Sequence, residues 1–76
     1  MNNRRRELLQ TAIDMLNKVT DIVDTALNQE QDCLDNMPEN LQASDRYEKM
    51  ETTIDCLLDA LEDIDQAGVK IVEAVE

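Results

Sequence analysis

Histidine, phenylalanine and tryptophan are absent from this chain of 76 residues, Tyr47 is its only aromatic residue, and it has one glycine and one proline. Each shortage excludes something. Sheets favour β-branched and aromatic residues and need frequent turns, so an all-α chain of long helices is expected instead. Without histidine, general acid–base chemistry would fall to perturbed carboxylates or to a thiolate beside a base, and the pattern supplies neither. Glu-x-x-His pairs for a di-metal bundle site are missing, and Asp32, Asp35 and Glu39 lack the alternating ligands and central glycine of a calcium loop. No catalytic residue, metal ligand or cofactor is expected, and the chain does not read as an enzyme.

Long apolar runs are also missing. No stretch approaches the roughly 18 apolar residues that would span a bilayer. Met1–Arg6 has the basic character of a signal peptide's start, but Glu7, Gln10 and Asp14 interrupt what should be its apolar stretch. A cytoplasmic, soluble protein is expected, with no membrane association and with Cys33 and Cys56 reduced.

What is abundant is helical periodicity. Pro38, within Asn36-Met37-Pro38-Glu39-Asn40, is the one strong interruption and marks the bend of a hairpin. The expected single domain, residues 1–76, is a helix over about 4–35, a turn over about 36–43 and a helix over about 44–75. Ser44 is a plausible N-cap of the second helix, because its hydroxyl can accept from one of the free amides of the first turn.

On the first helix Leu9, Leu16 and Val23 form one heptad column, and Ala12, Val19, Ala26 and Cys33 form its expected partner. Leu8, Met15 and Ile22 flank them on one side, and Ile13, Leu27 and Leu34 on the other, so close to half the circumference is apolar. The second helix carries Tyr47, Met50, Ile54, Leu57, Leu61, Ile64, Gly68, Ile71 and Val75 at alternating spacings of four and three, with the small residues Thr53, Ala60, Ala67 and Ala74 beside them. A bend centred near Asn40 pairs Ala12 with Gly68, Val19 with Leu61, Ala26 with Ile54 and Cys33 with Tyr47, within two residues. That register buries Cys33 and sets Cys33 and Cys56 roughly 14 Å out of step along the axis, too far for a disulfide. Gly68 could end the helix, but the seam continues in register through Ile71 and Val75, which favours continuation. A close approach of the helices there would make Gly68→Ala crowd the pairing.

One hairpin cannot cover so wide an apolar strip. A homodimer forming an antiparallel four-helix bundle is expected, its core and dimer interface drawn from Leu8, Leu9, Ala12, Ile13, Met15, Leu16, Val19, Ile22, Val23, Ala26 and Leu27 with Ile54, Leu57, Leu61, Ile64 and Ile71. A heteromeric partner supplying the missing helices is the alternative. Glu30 is the one acid on the core seam, either setting register against Tyr47 or Lys49 or forming part of a partner-binding notch.

The formal charge is −11, distributed unevenly. Seven acids and no base lie between Lys18 and Arg46, and six acids and no base between Lys49 and Lys70. Asp14, Asp21 and Asp35 share an outward column of the first helix, and Asp55, Asp59, Glu62 and Asp63 stand on the outer side of the second. Like charges at this spacing weaken a helix, so the ridge is not there for local stability. It either confers solubility or imitates a nucleic-acid backbone toward a basic protein partner. Direct nucleic-acid binding is not expected from this sign of charge, Arg4-Arg5-Arg6 being too short to outweigh it.

The turn and cap, Met37-Pro38-Glu39-Asn40-Leu41-Gln42-Ala43-Ser44, and the acidic helix through Leu61 resemble small, acidic, uncharacterised helical-hairpin proteins of bacterial phages and mobile elements. The architecture is also similar, by pattern, to the plasmid regulator Rop, a hairpin that dimerises into a four-helix bundle. The resemblance implies a mobile-element origin without naming an activity; the apolar strip and the acidic face are what lead to the expected non-catalytic interaction or structural role. The alternative it leaves open is an inhibitor that blocks a nucleic-acid-binding host protein by charge mimicry.

Overall fold

A computed structural model describes residues 1–76 as two helices and no strand, in the order α1 (Asn3–Asp35), a 3-10 turn (Glu39–Leu41) and α2 (Asp45–Val75). They pack antiparallel as a hairpin measuring 60 × 15 × 13 Å. Local chemistry sets the ends. The side-chain oxygen of Asn2 accepts from the Arg5 amide at 2.9 Å, capping α1. The hydroxyl of Ser44 accepts from the Tyr47 amide at 3.3 Å and donates to the Leu41 carbonyl at 2.6 Å, tying the cap of α2 to the turn before it. Pro38 begins that turn, and the Leu41 and Gln42 amides close it on the Pro38 and Glu39 carbonyls. No residue has positive φ, so the chain reverses without a glycine. Gly68 lies inside α2, which continues through it to Val75.

The buried and half-buried positions of α1 are Leu9, Ile13, Leu16, Thr20, Val23, Leu27, Glu30 and Leu34, continued by Met37 beyond the helix end, with Ala12 and Gln31 half-buried beside them. Their spacing alternates four and three, the signature of a helix seated against one neighbour. The partner column of Leu9, Leu16 and Val23 is therefore Ile13-Thr20-Leu27-Leu34, not the expected Ala12-Val19-Ala26-Cys33. Val19, Ala26 and Cys33 are exposed, and Ala12 sits half-buried on the shoulder. Size explains the choice, since isoleucine and two leucines fill the space between helices better than alanine and cysteine. Thr20 takes a half-buried seam position by heptad spacing, and its hydroxyl is satisfied there by donating to the Leu16 carbonyl at 2.9 Å. Cys33 and Cys56 are both free and exposed, so the expected burial of Cys33 fails with the column that carried it.

The register also differs. Gln31 and Leu34 lie across from Glu51–Leu58, and Ile13–Thr20 across from Ile64–Glu76, a slide of about six residues, roughly 9 Å, from the pairing of a bend centred on Asn40. The cause is the connection: with Met37 half-buried and a 3-10 turn following, α2 starts beyond the end of α1.

Burial is confined to the half of the hairpin near the turn. Leu27, Leu34 and Ile54 form the core there, with Tyr47, Met50, Leu57 and Leu61 packed around them. Toward the open end no residue is fully buried. A Cβ added at Gly68 would meet nothing within 4 Å, so the close approach expected at that glycine is not made.

Candidate interaction face

With α1's first seam turned toward α2, a second seam is left outside. Leu8, Ala12, Met15, Val19, Ile22, Ala26 and Cys33, with Gln29 the one polar position among them, repeat the four-and-three spacing one residue behind the first, a rotation of about 100° around the helix. Leu8 and Met15 are each 61% exposed and Ile22 69%. Two seams about a right angle apart are what a helix needs in a square bundle, where each helix touches two neighbours.

The rest of this face comes from α2. Both clefts between the helices open on one flank of the hairpin, to which α1 contributes Asn17 and Gln31 and α2 contributes Asp65, Val69 and Leu58. The opposite flank of each helix must then share the other side of the molecule. On α1 that flank is the second seam; on α2 it is Thr53, Ala60, Ala67 and Ala74 alternating with Lys49, Cys56, Asp63 and Lys70, of which only Ala60 is half-buried. Large apolar side chains on one helix thus stand beside a column of small residues on the other, edged by Lys49, Asp63 and Lys70.

The total exposed area points the same way. The hairpin leaves 5933 Å² accessible, whereas a compact monomer of 8.7 kDa would leave about 4700 Å². The excess, about 1200 Å² per chain, exceeds the roughly 800 Å² each partner gives to a standard interface.

Of the residues expected in a core or dimer interface, Leu9, Ile13, Leu16, Val23 and Leu27 face α2, together with Ile54, Leu57, Leu61, Ile64 and Ile71. Leu8, Met15, Val19, Ile22 and Ala26 are exposed on the second seam. The acids Asp14, Asp21, Asp35, Asp55, Asp59, Glu62 and Asp63 are all exposed, and seventeen of the chain's eighteen acids are, Glu30 being the half-buried exception. Gln10 and Gln31 donate to the carboxylates of Asp14 and Asp35 at 3.2 and 2.9 Å, spacing the acidic column of α1 with neutral amides. No polar side chain is buried, and no helix is long and apolar enough to cross a membrane.

Thr20, Met37 and Asn2 take structural roles that spacing alone did not reveal. Asn2 carried a readable signal, an asparagine one residue before a helix. Comparison with protein families, curated proteins and solved structures found no match.

Proposed function

We propose that the chain is a non-catalytic interaction module that works as a homodimer, two hairpins joined through the second seam of α1 into a four-helix bundle with an acidic exterior. The observation that carries this is the exposed seam Leu8-Ala12-Met15-Val19-Ile22-Ala26-Cys33, set at the angle a second neighbour requires and lying beside the small residues of α2. A second copy fits because it brings the same apolar strip, and because the excess area of one hairpin is more than enough for its share of a symmetric interface. The Pro38–Gln42 turn supports an origin among the acidic hairpin proteins of phages and mobile elements.

The test is the concentration dependence of thermal unfolding. A dimer's melting temperature rises with protein concentration, because association stabilises only the folded state. The double variant Met15→Asp/Ile22→Asp changes exposed positions, so it should leave the hairpin's own core untouched and abolish that rise. A wild-type melting temperature that is independent of concentration, and equal to the variant's, would refute the dimer.

A second reading is favoured by the exposure of nearly every acid. In it the ridge imitates a nucleic-acid backbone and blocks a nucleic-acid-binding host protein. Binding to a basic DNA-binding protein that weakens steeply with salt and is displaced by DNA would support this reading; binding that DNA leaves intact would remove it.

A further inference from the structure

The flank opposite the second seam carries a different feature. Near the open end the helices part around a cleft of about 560 Å³, walled by Ile13, Leu16, Val69 and Val72 and bordered by Asp65, Glu73 and Glu76. Nearer the turn, a cleft of about 300 Å³ on the same flank exposes Leu58, with Asp55 one turn and Glu51 two turns before it on the helix. Leu58 and Val69 are each 50% exposed and Val72 40%. Five carboxylates line the two clefts and no lysine or arginine does; four belong to α2 and the fifth, Glu76, caps its end, while α1 contributes only neutral polar groups, Asn17, Thr20 and Gln31.

We propose that this groove is a docking site for a basic amphipathic helix of another protein, whose apolar stripe lies on Leu58, Val69 and Val72 and whose lysines and arginines lean toward α2. This goes beyond the self-association reading, because it concerns the other face of the hairpin. Leu58 and Val72 are fourteen residues apart, about 21 Å along α2, which matches about four turns of a docked helix. Charge complementarity selects the basic side: the carboxylates stand along one wall, and Glu73 and Glu76 reinforce the negative end of the α2 dipole. The apolar floor selects the helix. A surface that imitates phosphates needs carboxylates alone, whereas half-exposed leucine and valine between the acids match a partner with an apolar stripe to bury.

The probe is a synthetic peptide of about eighteen residues, with leucines at i, i+3, i+4 and i+7 spacing and lysines on one flank, measured by fluorescence anisotropy near 0.15 M salt. The control is a peptide of the same composition shuffled so that its leucines share no face. The patterned peptide should bind the full chain at least tenfold more tightly than the shuffled one. Val69→Asp/Val72→Asp should weaken the patterned peptide at least tenfold, although it adds negative charge; attraction by charge alone would move the affinity the other way. Equal binding of the two peptides, or tighter binding by Val69→Asp/Val72→Asp, would overturn the groove and leave only the acidic surface. A fall in mass of Val69→Asp/Val72→Asp by light scattering would also overturn it, showing that a second copy occupies this flank. Met15→Asp/Ile22→Asp should bind the patterned peptide as the wild type does, so failure of the dimer and failure of the groove give different results.

Discussion

The two ends of the hairpin are built from similar residues and packed very differently. Near the turn, Leu27, Leu34 and Ile54 are buried under Tyr47 and the surrounding leucines. At the open end, Ile13, Leu16, Ile64 and Ile71 stay half-buried, Thr20 occupies a seam position, and Gly68 leaves its share of the interface empty. The covalent turn holds the first pair of helical ends together and does nothing for the second. Closure of the open end must come from side-chain packing, which a lone hairpin does not supply there. That contrast makes the open half the region most dependent on a partner, and Leu8, Met15 and Ile22 of the exposed seam lie in it.

The contrast can be broken by truncating each half in turn. Ile54→Ala should cost the most, about 2–5 kcal/mol, a large part of what a domain this size possesses. It would appear as loss of helical circular dichroism or a large drop in denaturation midpoint. Leu16→Ala, beside the open cleft, should cost under about 2 kcal/mol, because its surroundings already lack contacts to lose. Equal costs at the two sites would mean that the open half is as well packed as the other. Ser44→Ala should cost about 1 kcal/mol through the unsatisfied Tyr47 amide and the loosened turn, measured by the same denaturation. The smallest effect has the opposite sign. Gly68→Ala should stabilise by up to about 1 kcal/mol, since alanine is the better helix former and its methyl group meets nothing in the hairpin. A loss of stability on that substitution would place another chain against Gly68.

The same contrast explains which features were legible in the sequence. The two helices, the bend at Pro38, the Ser44 cap and the whole α2 seam follow from spacing and cap chemistry, because only one seam of α2 is apolar along its full length, Leu58, Val69 and Val72 being separated by acids. α1 has several adjacent apolar columns, and periodicity alone cannot say which two face the neighbour. Side-chain size decided it: Ile13, Leu27 and Leu34 took the place expected for Ala12, Val19, Ala26 and Cys33, so the latter became the outer seam and Cys33 came to the surface. Register was hidden for another reason. It depends on how many residues the connection consumes, and the inward turn of Met37 and the 3-10 turn after it leave no mark in the hydrophobic pattern. The clefts beside Val69 and Leu58 were invisible for the same reason, since they exist only once the slide between the helices is known.

Everything proposed about self-association rests on the outer seam of α1 finding a second copy. Light scattering on the unmodified chain at micromolar concentration tests that directly. The account predicts a mass of twice 8.7 kDa, falling to the single-chain value in Met15→Asp/Ile22→Asp; a fully helical wild-type chain that stays at the single-chain mass at micromolar concentration would contradict it.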